Sequence, residues 1–398
     1  MACPVSVRSG SGPGSVPPRV ILFLHNRYRT PGGEERVVED LAWLVEHALG
    51  EDAQVLERDS AELGPARAAA GLLRGGLRPE DVTAAVRRTG ARIVHAHNLL
   101  PAFGWRALAA AREAGAATVL HLHNYRLVCA VGTCVDPAGE DCTRCHGRDT
   151  RPGVRLNCRR NAPEAVAYGA ALALWQRRMV ELADVVVVPS AAARDRLIAL
   201  GAPARAAQEA EVVGHVVRAF ADEPPPRPAR PSAIVASRLA REKGVEVAID
   251  ACAQARLPLT VCGDGPLEAQ LRERAARTPG AEVTFAGRVG PEELQRLRGQ
   301  ASVALVPSRA AETFGLAALE AMARGLPVVA SRIGALAELA PDVALVAPGD
   351  AGALAQAALA TIADPDAPAR ALAGARRRAA PAVVAPRLAA VYAAVAPR

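Results

Sequence analysis

Ser302-Val-Ala-Leu-Val-Pro-Ser-Arg-Ala-Ala-Glu312-Thr-Phe-Gly-Leu-Ala-Ala-Leu-Glu320-Ala-Met-Ala-Arg-Gly325-Leu-Pro-Val-Val-Ala330 is the stretch whose reading decides the fold. Val303 to Val306 form a short apolar run stopped by Pro307, the pattern of a buried strand. Leu316 to Arg324 is built from helix-forming residues, and Gly325 stands where a left-handed cap closes a helix. Pro327 to Ala330 opens a second apolar run. The segment therefore predicts strand, loop, helix and strand, the repeating unit of a parallel α/β sheet. Loop and helix carry two acids, Glu312 and Glu320, with Phe314, Gly315 and Leu316 opening the helix between them. Unpaired N–H groups and the helix dipole favour an anion at such a start, and Gly315 lets an anion approach the backbone. Glu320 falls about 7.5 Å beyond Gly315 along the axis, at about 1.5 Å per residue. A solvent-facing helical Glu and a dipole-favoured Glu would give the same letters, so the order carboxylate, anion site, carboxylate needs support from elsewhere.

The preceding chain supplies it. Val20-Ile-Leu-Phe-Leu, Arg92-Ile-Val-His-Ala and Thr118-Val-Leu-His-Leu read as buried strands, and each runs into His-Asn: His25-Asn26, His97-Asn98 and His123-Asn124. These dipeptides use three of only five asparagines. Ligand crevices of open α/β sheets lie at the carboxyl ends of strands, which is where the pairs fall. His95 and His121, two residues earlier, are expected to point the other way. After the first strand, Gly32 and Gly33 precede a helix expected over Arg36 to Leu49, a loop suited to presenting N–H groups to phosphate. A dinucleotide-type Gly-x-Gly-x-x-Gly is absent there, against a dehydrogenase. Ala233-Ile-Val-Ala-Ser-Arg238 ends a further strand in a cation, followed five residues on by Lys243, the chain's single lysine among 48 basic residues. A background that uses arginine almost everywhere marks that position as needing a compact, flexible point charge. Thr260-Val-Cys-Gly263-Asp-Gly265 and Val283-Thr-Phe-Ala-Gly287-Arg288 are strand-and-turn segments of the same kind.

Taken together, Glu312 to Glu320 around Phe314-Gly315, the Arg238/Lys243 pair, the glycine loop and the strand-end His123 resemble the retaining glycosyltransferases of family 4, from about Val20 onward. The resemblance implies the α/β GT-B fold: two Rossmann-like doubly wound domains facing each other across a cleft. It implies a nucleotide-sugar donor lying with its sugar at Glu312, its diphosphate at the start of the helix and its ribose at Glu320. The catalytic residues implied are His123 and Glu312. Gly32, Gly33, Arg238, Lys243, Gly287, Arg288, Phe314, Gly315, Leu316 and Glu320 are implied to bind the donor, with Arg238 and Lys243 on the diphosphate and the Gly287–Arg288 backbone on the nucleobase. No catalytic metal and no cofactor are implied. The acceptor is a hydroxyl or amine compound that the sequence does not name. The alternatives are a sugar-nucleotide epimerase or phosphorylase on the same fold, or a non-catalytic nucleotide-sugar-binding subunit. Val213-Gly-His215-Val departs from the family by lacking an asparagine before the linker.

Composition bounds the rest. With 398 residues, 51% hydrophobic and 22% charged, the chain is long enough for two cored domains. A net charge of +7 suits anionic partners, yet aromatic content of 3% and the lack of a basic run argue against nucleic acid. Residues 1–18 are Gly/Ser/Pro-rich and read as a disordered tail; with no apolar leader there and no run long enough to span a bilayer, the expected setting is cytoplasmic, with peripheral membrane contact left open. The expected division is a first domain over 19–218, a proline-rich linker over 219–231, a nucleotide-sugar domain over 232–380, and a final helix over 381–398 crossing back to the first domain. Asp364-Pro-Asp366 reads as a surface turn. Within the first domain an insertion over 124–160 holds five of eight cysteines and many arginines, and is a candidate acceptor-side lid. Cys142-x-x-Cys145 with Cys129 and Cys158, or His146 in place of one of them, could close a tetrahedral zinc site; reduced cysteines in an ordered loop are the other reading.

Overall fold

The computed structural model describes residues 19–29 and 32–395; the tail expected over 1–18 lies outside them. Twelve strands form two six-stranded sheets, with every pairing parallel. The first contains β1 (Val20–Arg27), β2 (Asp52–Asp59), β3 (Ile93–Ala96), β4 (Ala117–His121), β5 (Val185–Val188) and β6 (Glu211–Val212), in the order β2-β1-β3-β4-β5-β6. The second contains β7 (Ala233–Ala236), β8 (Leu259–Cys262), β9 (Val283–Gly287), β10 (Val303–Val306), β11 (Val328–Ser331) and β12 (Ala344–Val346), in the order β12-β11-β10-β7-β8-β9. This is the pair of Rossmann-like domains expected of the GT-B architecture. Residues 213–232 between them carry no helix or strand.

The strands are apolar on both faces because helices cover both. Leu22 and Leu24 of β1 enter one core cluster, while Ile21 and Phe23 enter another on the opposite face. The second cluster includes Val384, Leu388 and Tyr392, four residues apart along helix Pro381–Val395, so the chain's final helix packs on the first sheet. The Tyr392 hydroxyl lies 2.8 Å from His95 Nδ1 inside that interface. Helix Leu316–Met322 follows β10, and Gly325, at φ +71, takes the left-handed conformation after it.

Both sheets have a topological switch point, where strand order reverses and the loops diverge to opposite faces. In the first sheet it lies between β1 and β3, in the second between β7 and β10. His25 and His97 therefore flank one crevice. The β7 turn carrying Arg238 and Lys243 and the β10 loop carrying Ser308 and Glu312 flank the other.

Candidate active site

Across the second crevice, Lys243 Nζ lies 2.6 Å from Glu312 Oε1, and the Ser308 hydroxyl donates to the same oxygen at 2.7 Å. Burial alone would raise the Glu312 carboxyl, but Lys243, Ser308 and Arg238 together hold it below the usual carboxylate range. Glu312 is thus a half-buried anion at the mouth of the switch point. Lys243 reaches it from a short 3₁₀ turn, Arg241–Lys243, closed by Gly244 at φ +62, whose α-carbon backs onto the Pro307 carbonyl. Arg238, half exposed, is ion-paired with Glu242 one turn on.

Glu320 sits deeper on helix Leu316–Met322. It accepts from Arg298 Nη2 at 2.9 Å, and Arg36 of the first domain comes within 3.4 Å of its other oxygen. Gly315 is needed for two reasons beyond close approach by a ligand: its φ is +82, and a β-carbon there would stand 2.8 Å from Leu336 Cδ2. The Phe314 ring is buried, with its centroid 4.6 Å from that of His215. Gly287, at the end of β9, has open space where a β-carbon would be, and Arg288 beside it is exposed.

The first crevice holds a layer of imidazoles. His97 Nδ1 lies 2.6 Å from His123 Nε2, and His123 Nδ1 lies 3.2 Å from His215 Nε2. His95 and His121 belong to the same layer, with ring centroids 4.4 Å from His97 and 4.2 Å from His123 respectively. This corrects the expectation that they face away, because residues two apart on a strand share a face. Burial pushes His123 and His95 down to about 3, and pushes His97, His121 and His215 well below the usual range. All five are therefore neutral at physiological pH. Two trios, His95/His97/His121 and His121/His123/His215, bring ring nitrogens within 4.8 Å of one another. His95 and His121 stack at 11° and His121 and His123 at 21°, so they present faces to each other rather than converging in-plane lone pairs on an ion. His123 in this conformation has both ring nitrogens engaged. Its free contribution to the crevice is a neutral ring edge, not a charge.

The strand-end asparagines are occupied. Asn26 Nδ2 donates to Ser60 Oγ and the Leu100 carbonyl, and Asn98 Nδ2 donates to the Asn26 carbonyl at 2.6 Å. They tie loop ends together instead of lining the site. The glycine loop is likewise filled from within. Helix Gly33–Leu44 starts three residues before the expected Arg36, and the Glu35 carboxylate accepts from Tyr28 N and Gly32 N. Asn124 Nδ2 reaches Tyr28 Oη at 3.0 Å, holding β4's loop to β1's.

The two crevices meet. Thr313, next to Glu312, donates its hydroxyl to the His123 carbonyl at 2.9 Å, while the Ser190 hydroxyl donates to the Thr313 carbonyl at 2.8 Å. His123 and Glu312 are thereby brought to one seam. Sequence reading missed His215, Ser308, Thr313, Arg298 and Arg36. Of these only His215 left a signal, as a rare residue at the point where the chain departs from the family's pattern.

Residues 20–209 match the "Glycosyl transferase 4-like domain" model, and residues 230–364 match "Glycosyl transferases group 1". Both halves are glycosyltransferase-family domains. A sulfoquinovosyl transferase of Arabidopsis thaliana is 33% identical over 186 residues, covering 42% of this chain and 35% of that protein. A glycogen synthase of Mycobacterium tuberculosis is 33% identical over 213 residues, 50% of each. The chain thus spans half the length or less of these curated relatives. Among solved structures, a sucrose-phosphate synthase of Thermosynechococcus elongatus superposes with TM-score 0.67 at 19% identity, over 94% of this chain and 98% of that one. Anabaena HepE, solved with UDP and glucose, gives 0.65 at 19% identity, over 94% and 99%. Both likenesses are of fold.

Proposed function

We propose that this chain is a metal-independent retaining glycosyltransferase of family 4, moving a sugar from a nucleotide-sugar to an acceptor hydroxyl or amine. The reading rests on the Lys243–Glu312 pair at the switch point of the second sheet, hydrogen-bonded through its neighbour Thr313 to the strand-end carbonyl of His123. A diphosphate arriving at the start of helix Leu316–Met322 competes with Glu312 for Lys243. As the lysine turns to phosphate, Glu312 is left to accept hydrogen bonds from sugar hydroxyls. Glu320, held by Arg298, accepts from the ribose. The Gly287–Arg288 backbone reads the base, and Gly32 and Gly33 face the diphosphate from the first domain. Lys243 and Arg238 neutralise the departing diphosphate without a metal ion. The family resemblance supplies the chemical course: the bond from C1 to phosphate oxygen breaks and the acceptor's bond to C1 forms on the same face. The acceptor's proton passes to the leaving phosphate oxygen. His123, uncharged, orders the sugar edge.

The test separates binding from transfer. UDP is the first nucleotide to try, since HepE was solved with it. Glu312→Gln removes the competitor for Lys243, so nucleoside diphosphate binding stays equal or tightens, while transfer falls on the order of 100-fold or more. Isothermal titration and a donor-consumption assay read the two effects. A Glu312→Gln protein that transfers at the wild-type rate, or loses nucleotide binding together with transfer, sinks the assignment.

A further inference from the structure

Away from both crevices, Cys129, Cys134, Cys142, Cys145 and Cys158 line one small space of about 10 Å³. That is room for a single atom of the size of a water or a metal ion. All five are free thiols. Thiols are weak partners for a water but, once deprotonated, strong ligands for a borderline-soft divalent ion. The segment that brings them together has little regular structure, although Tyr125, Leu127 and Val128 anchor its start in the first domain's core. Residues 122–161 carry only the five-residue helix Arg151–Arg155 and two isolated bridges, Val135 with Asp141 and His146 with Asp149. A loop of that length without its own core is normally either mobile or stapled.

Gly153 packs directly on Cys145 Sγ, which holds that sulfur against the helix Arg151–Arg155. Cys134 is the most deeply buried of the five thiols, which leaves Cys129, Cys142, Cys145 and Cys158 as the four to hold an ion. Cys158 faces Cys129, Cys142 and Cys145 across the space, and Cys142 and Cys145 have the two-residue gap of a zinc knuckle. His146 does not line the space, which removes it as a ligand; its ring packs over Gly201. Among the described residues, three ligand atoms fall within 4.8 Å of one another only in histidine groups. The sulfurs must therefore close inward to hold an ion, and doing so tightens the loop.

We propose that Cys129, Cys142, Cys145 and Cys158 bind one structural zinc ion, which fixes the insertion's tip against the second domain. That tip, residues 136–141, bridges the domains. Glu140 is ion-paired with Arg309, Gly139 packs on Arg241, and Asp141 accepts from Arg196 at 2.8 Å. It roofs a recess of about 240 Å³ lined by Arg241, Arg274 and Arg309 among others, beside the turn that carries Lys243. With four protein ligands the ion has no open position, so its role is to order the lid and not to do chemistry.

The experiment uses the full chain, grown with zinc and purified without chelator. Elemental analysis is expected to find about one zinc per chain. The Cys142→Ser/Cys145→Ser double variant binds none, and Cys252→Ser, altered in the core of the second domain, keeps it. To separate loss of the ligands from loss of the insertion's fold, the wild type is also stripped with a mercurial and a chelator, then reduced. Trypsin then cuts at Arg144, Arg148 or Arg155, and restoring zinc restores protection. A reduced, zinc-reconstituted chain without stoichiometric metal, a double variant that keeps it, or equal protection with and without zinc overturns the proposal. None of these readouts uses transfer activity, so the glycosyltransferase reading stands or falls separately.

Discussion

Acid should unfold the first domain through its histidine layer, and the size of the effect follows from the structure. His95, His97, His121 and His215 are buried and His123 half-buried, and all are held neutral, with folded values of about 3 for His95 and His123 and well below the ordinary value for the others. Unfolded, each titrates near 6.5. The unfolded state therefore binds protons that the folded state refuses. Stability is fully present above about pH 6.5 and drains away as pH falls toward the folded values. Going from pH 7 to 5.5 costs about 1.3 kcal/mol per histidine, or about 6 kcal/mol for five, against a total stability of about 5–15 kcal/mol. The direct assay is proton uptake on denaturation at pH 5.5, read by back-titration in weak buffer, which needs no two-state assumption. About four to five protons per chain are expected from this layer. His121 has no hydrogen-bond partner at either nitrogen, so His121→Phe keeps the stacking and sacrifices no bond. It should lower uptake by about one proton, whatever its packing cost at neutral pH. Uptake near zero, or a His121→Phe protein with unchanged uptake, would show that the layer is already protonated or solvated, and the reasoning would fail.

Three further outcomes follow. Gly244→Ala places a β-carbon 2.1 Å from the Pro307 carbonyl at φ +62; a loss of about 2–4 kcal/mol is expected in urea denaturation, with nucleotide binding weakened because the Lys243 turn shifts. Tyr392→Phe strands His95 Nδ1 inside the interface of the final helix, costing about 1–3 kcal/mol; amide exchange of helix Pro381–Val395 should speed up while the second domain is unchanged. Arg298→Met removes the buried partner of Glu320 and leaves only Arg36, so about 2–4 kcal/mol should be lost, with weaker binding of nucleoside diphosphate than of inorganic diphosphate.

Several features of the fold were legible because they are local. Val303–Val306 stopped by Pro307, the helix over Leu316 onward and the left-handed Gly325 each follow from a few adjacent residues, and each is found close to where the letters place it. The alternation of such units predicted two parallel sheets, and both are present. Partner choice was not legible. Lys243 and Glu312 are 69 residues apart, and only the reversal of strand order between β7 and β10 puts them 2.6 Å from each other. Reading them as separate contacts, one for phosphate and one for sugar, missed that each neutralises the other in this structure.

The same distinction separates placement from availability. Strand ends do deliver His-Asn pairs to a crevice, yet Asn26 and Asn98 spend their amides on each other's loops, and Glu35 fills the glycine loop with its own carboxylate. Sequence position tells which crevice a group reaches. Whether that group is free to meet a ligand depends on which neighbour satisfies it, since a buried polar group costs about 1–3 kcal/mol if left alone and takes the first partner within reach. Lys243 and Glu312 follow the same rule, each taking the other as partner; under the proposed function a diphosphate would take the lysine and sugar hydroxyls would take the acid. The pairing, rather than the presence of either residue, is what the proposed function turns on.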